Sequence, residues 1–173
     1  MDKVLLYGLE TEKNKITEEV SNEFDIELKI VKDENLDKKV IELFEDSSKN
    51  ELETSEKEEK LMVFSNMDRN LLKDFLIALK NKGVLIEHKC VITDTNKDWK
   101  FSYLMDHIKD EHRIVMKFRE LGAYVKMAMD KLGEGEDTEL KEIVDRALLN
   151  KNELDEERLD KSILELKEKL SLK

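Results

Sequence analysis

LMVFSNMD, residues 61–68, is the stretch whose reading decides the fold. Four apolar residues in a row mark a strand covered on both faces. Ser65 and Asn66 end it. Asp68 opens a helix to about residue 82 in which Leu71, Leu72, Phe75, Leu76 and Leu79 recur at helical spacing, and Gly83 terminates it. The same order appears earlier in the chain. Residues 4–7 form a second wholly apolar run closed by Gly8, and Thr11 is placed to cap a helix striped by Ile16, Val20 and Phe24. Ile26, Leu28 and Ile30 then alternate with Glu27 and Lys29, which predicts a half-exposed edge strand. Leu36, Val40, Ile41, Leu43 and Phe44 stripe another amphipathic helix, and residues 84–93 hold a fourth strand.

The resulting order, βαβαβαβ, predicts an α/β fold with a small four-stranded parallel doubly wound sheet. The two apolar strands belong in the middle, giving the order 2-1-3-4. Residues 45–60, EDSSKNELETSEKEEK, read as a mobile charged loop. The rest of the chain reads as an all-helical C-terminal extension. Phe101, Leu104, Ile108, Val115, Phe118, Val125, Met129 and Leu132 form a 3-4 seam that fails at Glu111 and Gly122. Either this helix breaks at residues 110–113 or it projects beyond the domain. Leu140, Ile143, Val144, Ala147 and Leu148 stripe the next helix. Leu159, Ile163, Leu166 and Leu170 stripe the last, with Asn152 as its expected N-cap. The division expected is an α/β domain over residues 1–112 and a helical extension over residues 113–173.

Bulk composition narrows the function. The chain has 173 residues, 42% of them charged, with a net charge of −11. Duplex affinity comes from cations neutralising phosphates, so nucleic acid is an unfavourable partner, and an anionic membrane surface is equally so. No apolar run approaches the ~20 residues of a membrane span. The N-terminus lacks a signal-peptide core, and the single cysteine, Cys90, forms no internal disulfide; a cytoplasmic location is expected. Lysine far outnumbers arginine and proline is absent, which fits an AT-rich bacterial genome.

In a doubly wound sheet, ligands bind beyond the carboxyl ends of the strands. Gly8, Ser65, Asn66, Thr93, Thr95, Asn96 and Trp99 are therefore the expected pocket. No glycine-rich phosphate loop occurs, and Glu10, Glu12, Asp68, Asp94 and Asp98 crowd the helix starts, where they would repel phosphate. Asp68, Asp94 and Asp98 are candidate ligands for a divalent cation, which takes one or two carboxylates and several waters. Against this stands their ordinary role at helix N-termini. No other cofactor is indicated. His88, His107 and His112 lack metal-site spacing. Cys90, mid-strand, reads as a small core residue, and Met105, Met116, Met127 and Met129 as core or interface filler, with core favoured over a partner-binding surface. Asn96 is the natural N-cap of a helix starting near Lys97, with Thr93 and Thr95 satisfying backbone groups as the strand leaves the sheet.

HKCVITDTNKDW, followed by SYLMDHIKDEH, resembles the closing segment of a small bacterial domain family of unknown function. That family pairs a late strand with a Thr-x-Thr-Asn turn, a tryptophan and an acidic helix, matched here by Thr93, Thr95, Asn96 and Trp99. Its pattern often has proline where Asp94 stands and alanine where Cys90 stands. The resemblance spans residues 1–112 and implies a fold and a bacterial source, without an activity.

Two functions fit these residues. The first is a non-catalytic interaction module, with an α/β head and residues 99–173 docking a protein partner or a second copy. The alternative is a divalent-metal-assisted hydrolase using Asp68, Asp94 and Asp98. The latter lacks a recognisable nucleophile or base at the same edge, so the balance leans against an enzyme.

Overall fold

The computed structural model describes residues 2–150 and 155–171. It divides into two compact units, the first ending at Lys109 and the second starting at Asp110. In the first unit, β1 (Asp2–Tyr7), α1 (Thr11–Glu23) and β2 (Ile26–Ile30) form one βαβ unit. β3 (Leu61–Phe64), α3 (Arg69–Asn81) and β4 (His88–Val91) form another. α2 (Val40–Glu45) lies between them, and α4 (Phe101–Glu134) follows β4 without a break in its helix. The strand order is β2-β1-β3-β4, as the apolar pattern predicts.

The sheet is mixed, which corrects the expectation of an all-parallel one. β1 pairs parallel with β2 and β3 with β4, but β1 and β3 are antiparallel, with Val4 opposite Phe64 and Tyr7 opposite Leu61. The chain between β2 and β3 explains this. α2 has only six residues and finishes near the start of β1, where Lys3 Nζ donates to Phe44 O at 3.0 Å. Residues 46–60 then retrace that distance. Asn50 Oδ1 accepts from Ile30 N at 2.8 Å, Thr54 O accepts from Thr11 N at 3.2 Å, and Lys57 N donates to Gly8 O at 2.9 Å. β3 is thus entered beside the end of β1, and crossing the sheet twice leaves the next strand running backwards.

Each face of the sheet carries its own core. Val4, Leu6, Met62 and Phe64 pack with Val20, Phe75 and Leu79 from α1 and α3. Leu5, Tyr7, Leu61 and Val63 pack with Val40, Leu43 and Phe44 from α2 and with Phe101, Leu104 and Met105 from α4. Strands apolar on both sides are required by this three-layer arrangement. Cys90 is half-buried and packs against the second core. Edge strand β2 keeps Ile26, Leu28 and Ile30 inward and Glu27 and Lys29 half-buried. Thr11 does not cap α1. It is the first helical residue, Glu10 precedes it without a side-chain cap, and the Thr11 hydroxyl donates to Thr54 O.

In the second unit, the remainder of α4 packs with α5 (Thr138–Asn150) and α6 (Glu156–Lys169). Leu121, Val125, Ala128, Leu140, Ile143, Val144, Ala147, Leu159, Ile163 and Leu166 form its core. Asn152, expected to cap the last helix, lies outside the described residues. Asp155 caps α6, its side chain accepting from Glu157 N and Arg158 N. Behind that cap, the Glu156 carboxylate meets Arg113 at 2.9 Å and Lys117 at 2.7 Å. These two cations hold its pKa down to about 2. Of the methionines expected as core or interface filler, Met105 is buried, but Met116, Met127 and Met129 are exposed on α4. Among the described residues, no helix is long and apolar enough to cross a membrane.

Gly8 gives this topology a test. Its φ is +92°, and a Cβ there would stand 2.0 Å from the Glu59 carbonyl oxygen. Gly8→Ala must both strain its own backbone and push the incoming chain away from β1. A loss on the order of 2 kcal/mol or more is expected by urea unfolding. Gly83→Ala, also at positive φ but in open space, should cost only about 1 kcal/mol.

Candidate functional site

Because β1 and β3 are antiparallel, the residues expected to share one carboxyl edge are divided between two. Gly8 follows β1 at one edge. Ser65, Asn66 and Asp68 follow β3 at the opposite edge, together with Thr93, Thr95 and Asn96 after β4. There, Ser65 Oγ accepts from Lys3 N at 2.8 Å. Asn96 is buried and works as a stitch. Its Oδ1 accepts from Thr93 N at 2.7 Å and its Nδ2 donates to Val91 O at 3.1 Å. It is therefore not the N-cap of a helix at Lys97; a turn intervenes, and α4 begins at Phe101. Thr93 Oγ1 accepts from Asn96 N, while Thr95 is exposed. Trp99 packs edge-on against Tyr103 and His107, with ring centroids 4.9 and 5.0 Å away.

The three candidate metal ligands are engaged locally. Asp68 Oδ1 caps α3 through Asn70 N and Leu71 N. Asp94 pairs with Lys97 at 2.8 Å, and that lysine lowers its pKa. Asp98 pairs with Lys39 at 3.3 Å. Among the described residues, no group of three or more His, Cys, Asp or Glu side chains is placed to hold a metal ion.

At the edge where β1 and β2 end, a small polar cleft of about 190 Å³ is lined by Tyr7, Gly8, Val31, Asp33, Thr54 and Lys57 among others. The buried Tyr7 hydroxyl donates to Asp33 Oδ1 at 2.9 Å, and Lys57 Nζ meets Asp33 Oδ2 at 2.6 Å. Burial, and then the Asp33 carboxylate as hydrogen-bond partner, push the Tyr7 phenol up to about 12. The Lys57 hydrogen bond, followed by that of Tyr7, holds Asp33 below the usual carboxylate range. The phenol therefore stays protonated and the carboxylate stays ionised. The group is a latch: it fastens the chain entering β3 to the end of β1. The residues that do this are far apart in sequence: parallel pairing of β1 and β2 sets Asp33 beside Tyr7, and the chain entering β3 adds Lys57.

The second unit has a cleft of a different character. A groove of about 490 Å³ between the end of α4 and α5 is lined by Met129, Leu132, Val144 and Leu148. Glu136, Asp137 and Asp145 border it, with Lys141 as a single cation. Met129 is 56% exposed and Leu148 41%, and neighbouring Leu149 reaches 70%. Burying such side chains is worth about 1.5–3 kcal/mol each.

Comparison with known proteins locates part of the chain. A family model described as a domain of unknown function (DUF3783) matches residues 60–115. The match takes in β3, α3, β4 and the start of α4, a narrower span than the residues 1–112 expected from sequence. No curated protein and no solved structure matches the chain.

The Tyr7–Asp33 latch predicts an alkaline dependence. A phenol whose folded pKa is raised stabilises the fold fully below its unfolded value. That contribution is lost as pH rises through the folded value, so the window lies between about 10 and about 12. Urea unfolding across that range should show declining stability in the parent. Tyr7→Phe should be less stable near neutrality by about 1 kcal/mol and should show less of the decline.

Proposed function

We propose that this protein is a non-catalytic interaction module in which the helical unit docks a protein partner and the α/β unit serves as scaffold. The observation that supports it is the open apolar groove of Met129, Leu132, Val144 and Leu148. Met129 and Leu148 are left in water there, while Val144 belongs to the unit's core and Leu132 packs against it. An exposed apolar patch rimmed by polar groups is the usual form of a protein-binding surface. Methionine suits it, because a flexible thioether adapts to the shape of what it covers. The carboxylates of Glu136 and Asp145 give the rim its sign, while Asp137 caps α5 through Leu140 N and pairs with Lys169 at 3.4 Å. The partner that fits is an amphipathic helix with an apolar stripe flanked by lysine or arginine.

The metal-assisted hydrolase is the weaker reading. The carboxylates it needs serve a helix cap and two lysine pairs.

A labelled peptide of alternating Leu and Lys helical stripes tests the reading, titrated into the full chain at several salt concentrations. Binding should weaken at least tenfold in the variant Met129→Ser/Leu148→Ser, which removes apolar surface and leaves every charge in place; tenfold is about 1.4 kcal/mol. Equal binding by parent and variant would show attraction between opposite charges alone, and the groove would have no role.

A further inference from the structure

The two βαβ units of the α/β domain follow one plan in detail. α1 and α3 each have 13 residues. They also end alike. Phe24 N donates to Val20 O and Ser21 O, and Asp25 N to Asn22 O; Lys82 N donates to Ala78 O and Leu79 O, and Gly83 N to Lys80 O. Asp25 and Gly83, at the same place after each helix, both have left-handed backbones, with φ of 56° and 80°. As each second strand ends, Val31 N donates to Leu6 O and Ile92 N to Phe64 O, both at 2.8 Å. The exit turns repeat in sequence as well: Asp33, Asn35, Asp37 and Lys39 return at the same spacing as Asp94, Asn96, Asp98 and Lys100. Asn35 Oδ1 accepts from Lys32 N as Asn96 Oδ1 accepts from Thr93 N.

The units also meet reciprocally. In the β1–β3 pairing, Leu5 faces Val63 at the centre, and Val4 faces Phe64 as Leu6 faces Met62. Val40 N donates to Trp99 O, and Phe101 N to Lys38 O. Ile41 N donates to Lys97 O, and Ser102 N to Leu36 O. Lys39 and Lys100 form an isolated bridge with each other. Lys100 pairs with Asp37 at 2.9 Å and Lys39 with Asp98 at 3.3 Å. Each of these contacts has a counterpart with the two units exchanged, which is the defining property of an isologous, two-fold interface. The helices obey the same symmetry: α1 and α3 cover one face of the sheet, α2 and α4 the other. Two unrelated βαβ units could share a helix length; they would have no reason to share reciprocal contacts.

We infer that residues 2–45 and 60–106 are two copies of one half-module, held in a single chain as an internal two-fold dimer. The surface that each copy buries, β1 or β3 with the Asp-x-Asn-x-Asp-x-Lys turn, is a docking surface whose partner is another half-module of the same kind. The family match at residues 60–115 takes in the second copy and none of the first. The copies have diverged at their carboxyl edges. Tyr7, latched to Asp33, has Ser65 as its counterpart, and Glu10, which caps nothing, has Asp68, which caps α3.

The full chain tests this by exchange of equivalent segments. Residues 33–39 and 94–100 differ at three positions each, so the in-register exchange is E34T, L36K and K38W together with T95E, K97L and W99K. Thermal melting by circular dichroism should retain one cooperative transition within about 10 °C of the parent. The same exchange made one residue out of register should abolish it; equal failure of both would overturn the inference. The reciprocal ion pairs give a second reading that does not move Trp99. Lys39→Asp also places a capping carboxylate at the start of α2, so the reading is the rescue: adding Asp98→Lys to Lys39→Asp should raise Tm, and adding Asp37→Lys to Lys100→Asp should raise it likewise. Rescue at one pair only, or at neither, would also overturn two-fold pairing.

Discussion

The direction of β3 against β1 is the constraint on which the α/β unit rests. Once Lys57 N reaches Gly8 O and the Glu59 carbonyl fills the space where a Cβ would lie, Leu61 can begin only beside Tyr7. From that point the carboxyl ends of β1 and β2 lie at one edge of the sheet and those of β3 and β4 at the other. A doubly wound parallel sheet concentrates helix starts and loops at one edge, and its ligand crevice forms there. Here that convergence is divided in two. At one edge the chain's own residues 53–55 and Lys57 line the small cleft beside Gly8. At the other, Asp68, Asn96 and Thr93 satisfy the backbone from within.

Strand identity and order were legible in the sequence, and strand direction was not. The alternation of Ile26, Leu28 and Ile30 with Glu27 and Lys29 marks an edge strand because only one face of it meets a core. The run LMVF carries no such asymmetry, since a strand buried on both faces reads the same in either direction. Its direction is set by contacts of residues 46–60, where Asn50, Thr54 and Lys57 sit among acids and lysines that conceal them. Thr54 stitches to Leu9 O and to Asn14, and the latter side chain also reaches Leu52 O. Small uncharged residues in a charged stretch were the available signal.

The turn CVITDTNKDW had a second signal of the same kind. Read alone, Asn96 before Lys97 and Asp98 looks like a helix cap, because capping is the commonest work of asparagine before a helix. Read beside IVKDENLDKK, the spacing of Asp, Asn, Asp and Lys is a repeat. In both copies the asparagine folds back on the residue three before it and ends the strand. The lysine at the end of each repeat goes across to the other copy's aspartate. Both pairs are largely exposed, and such pairs contribute at most about 1 kcal/mol. Their value lies in orientation: they fix how two self-similar halves face each other, while the apolar residues of β1 and β3 supply the stabilisation.

Symmetry also bears on where function resides. In a two-fold pairing, the contacts that hold the halves together are made twice, so a change in either copy disturbs the joint. The residues outside the joint are released from that requirement. The first copy carries the Tyr7–Asp33–Lys57 latch and an α2 of six residues, while the matching helix of the second, α4, runs for 34. Three methionines and the groove residue Leu132 lie on that extension or beside α5, none of them part of the repeated plan. A surface free of the symmetry of the core can acquire a partner without altering the fold. The groove of Met129, Leu132, Val144 and Leu148 is such a surface. Met129 and Leu148 are exposed there, where neither the sheet nor the repeat calls for them.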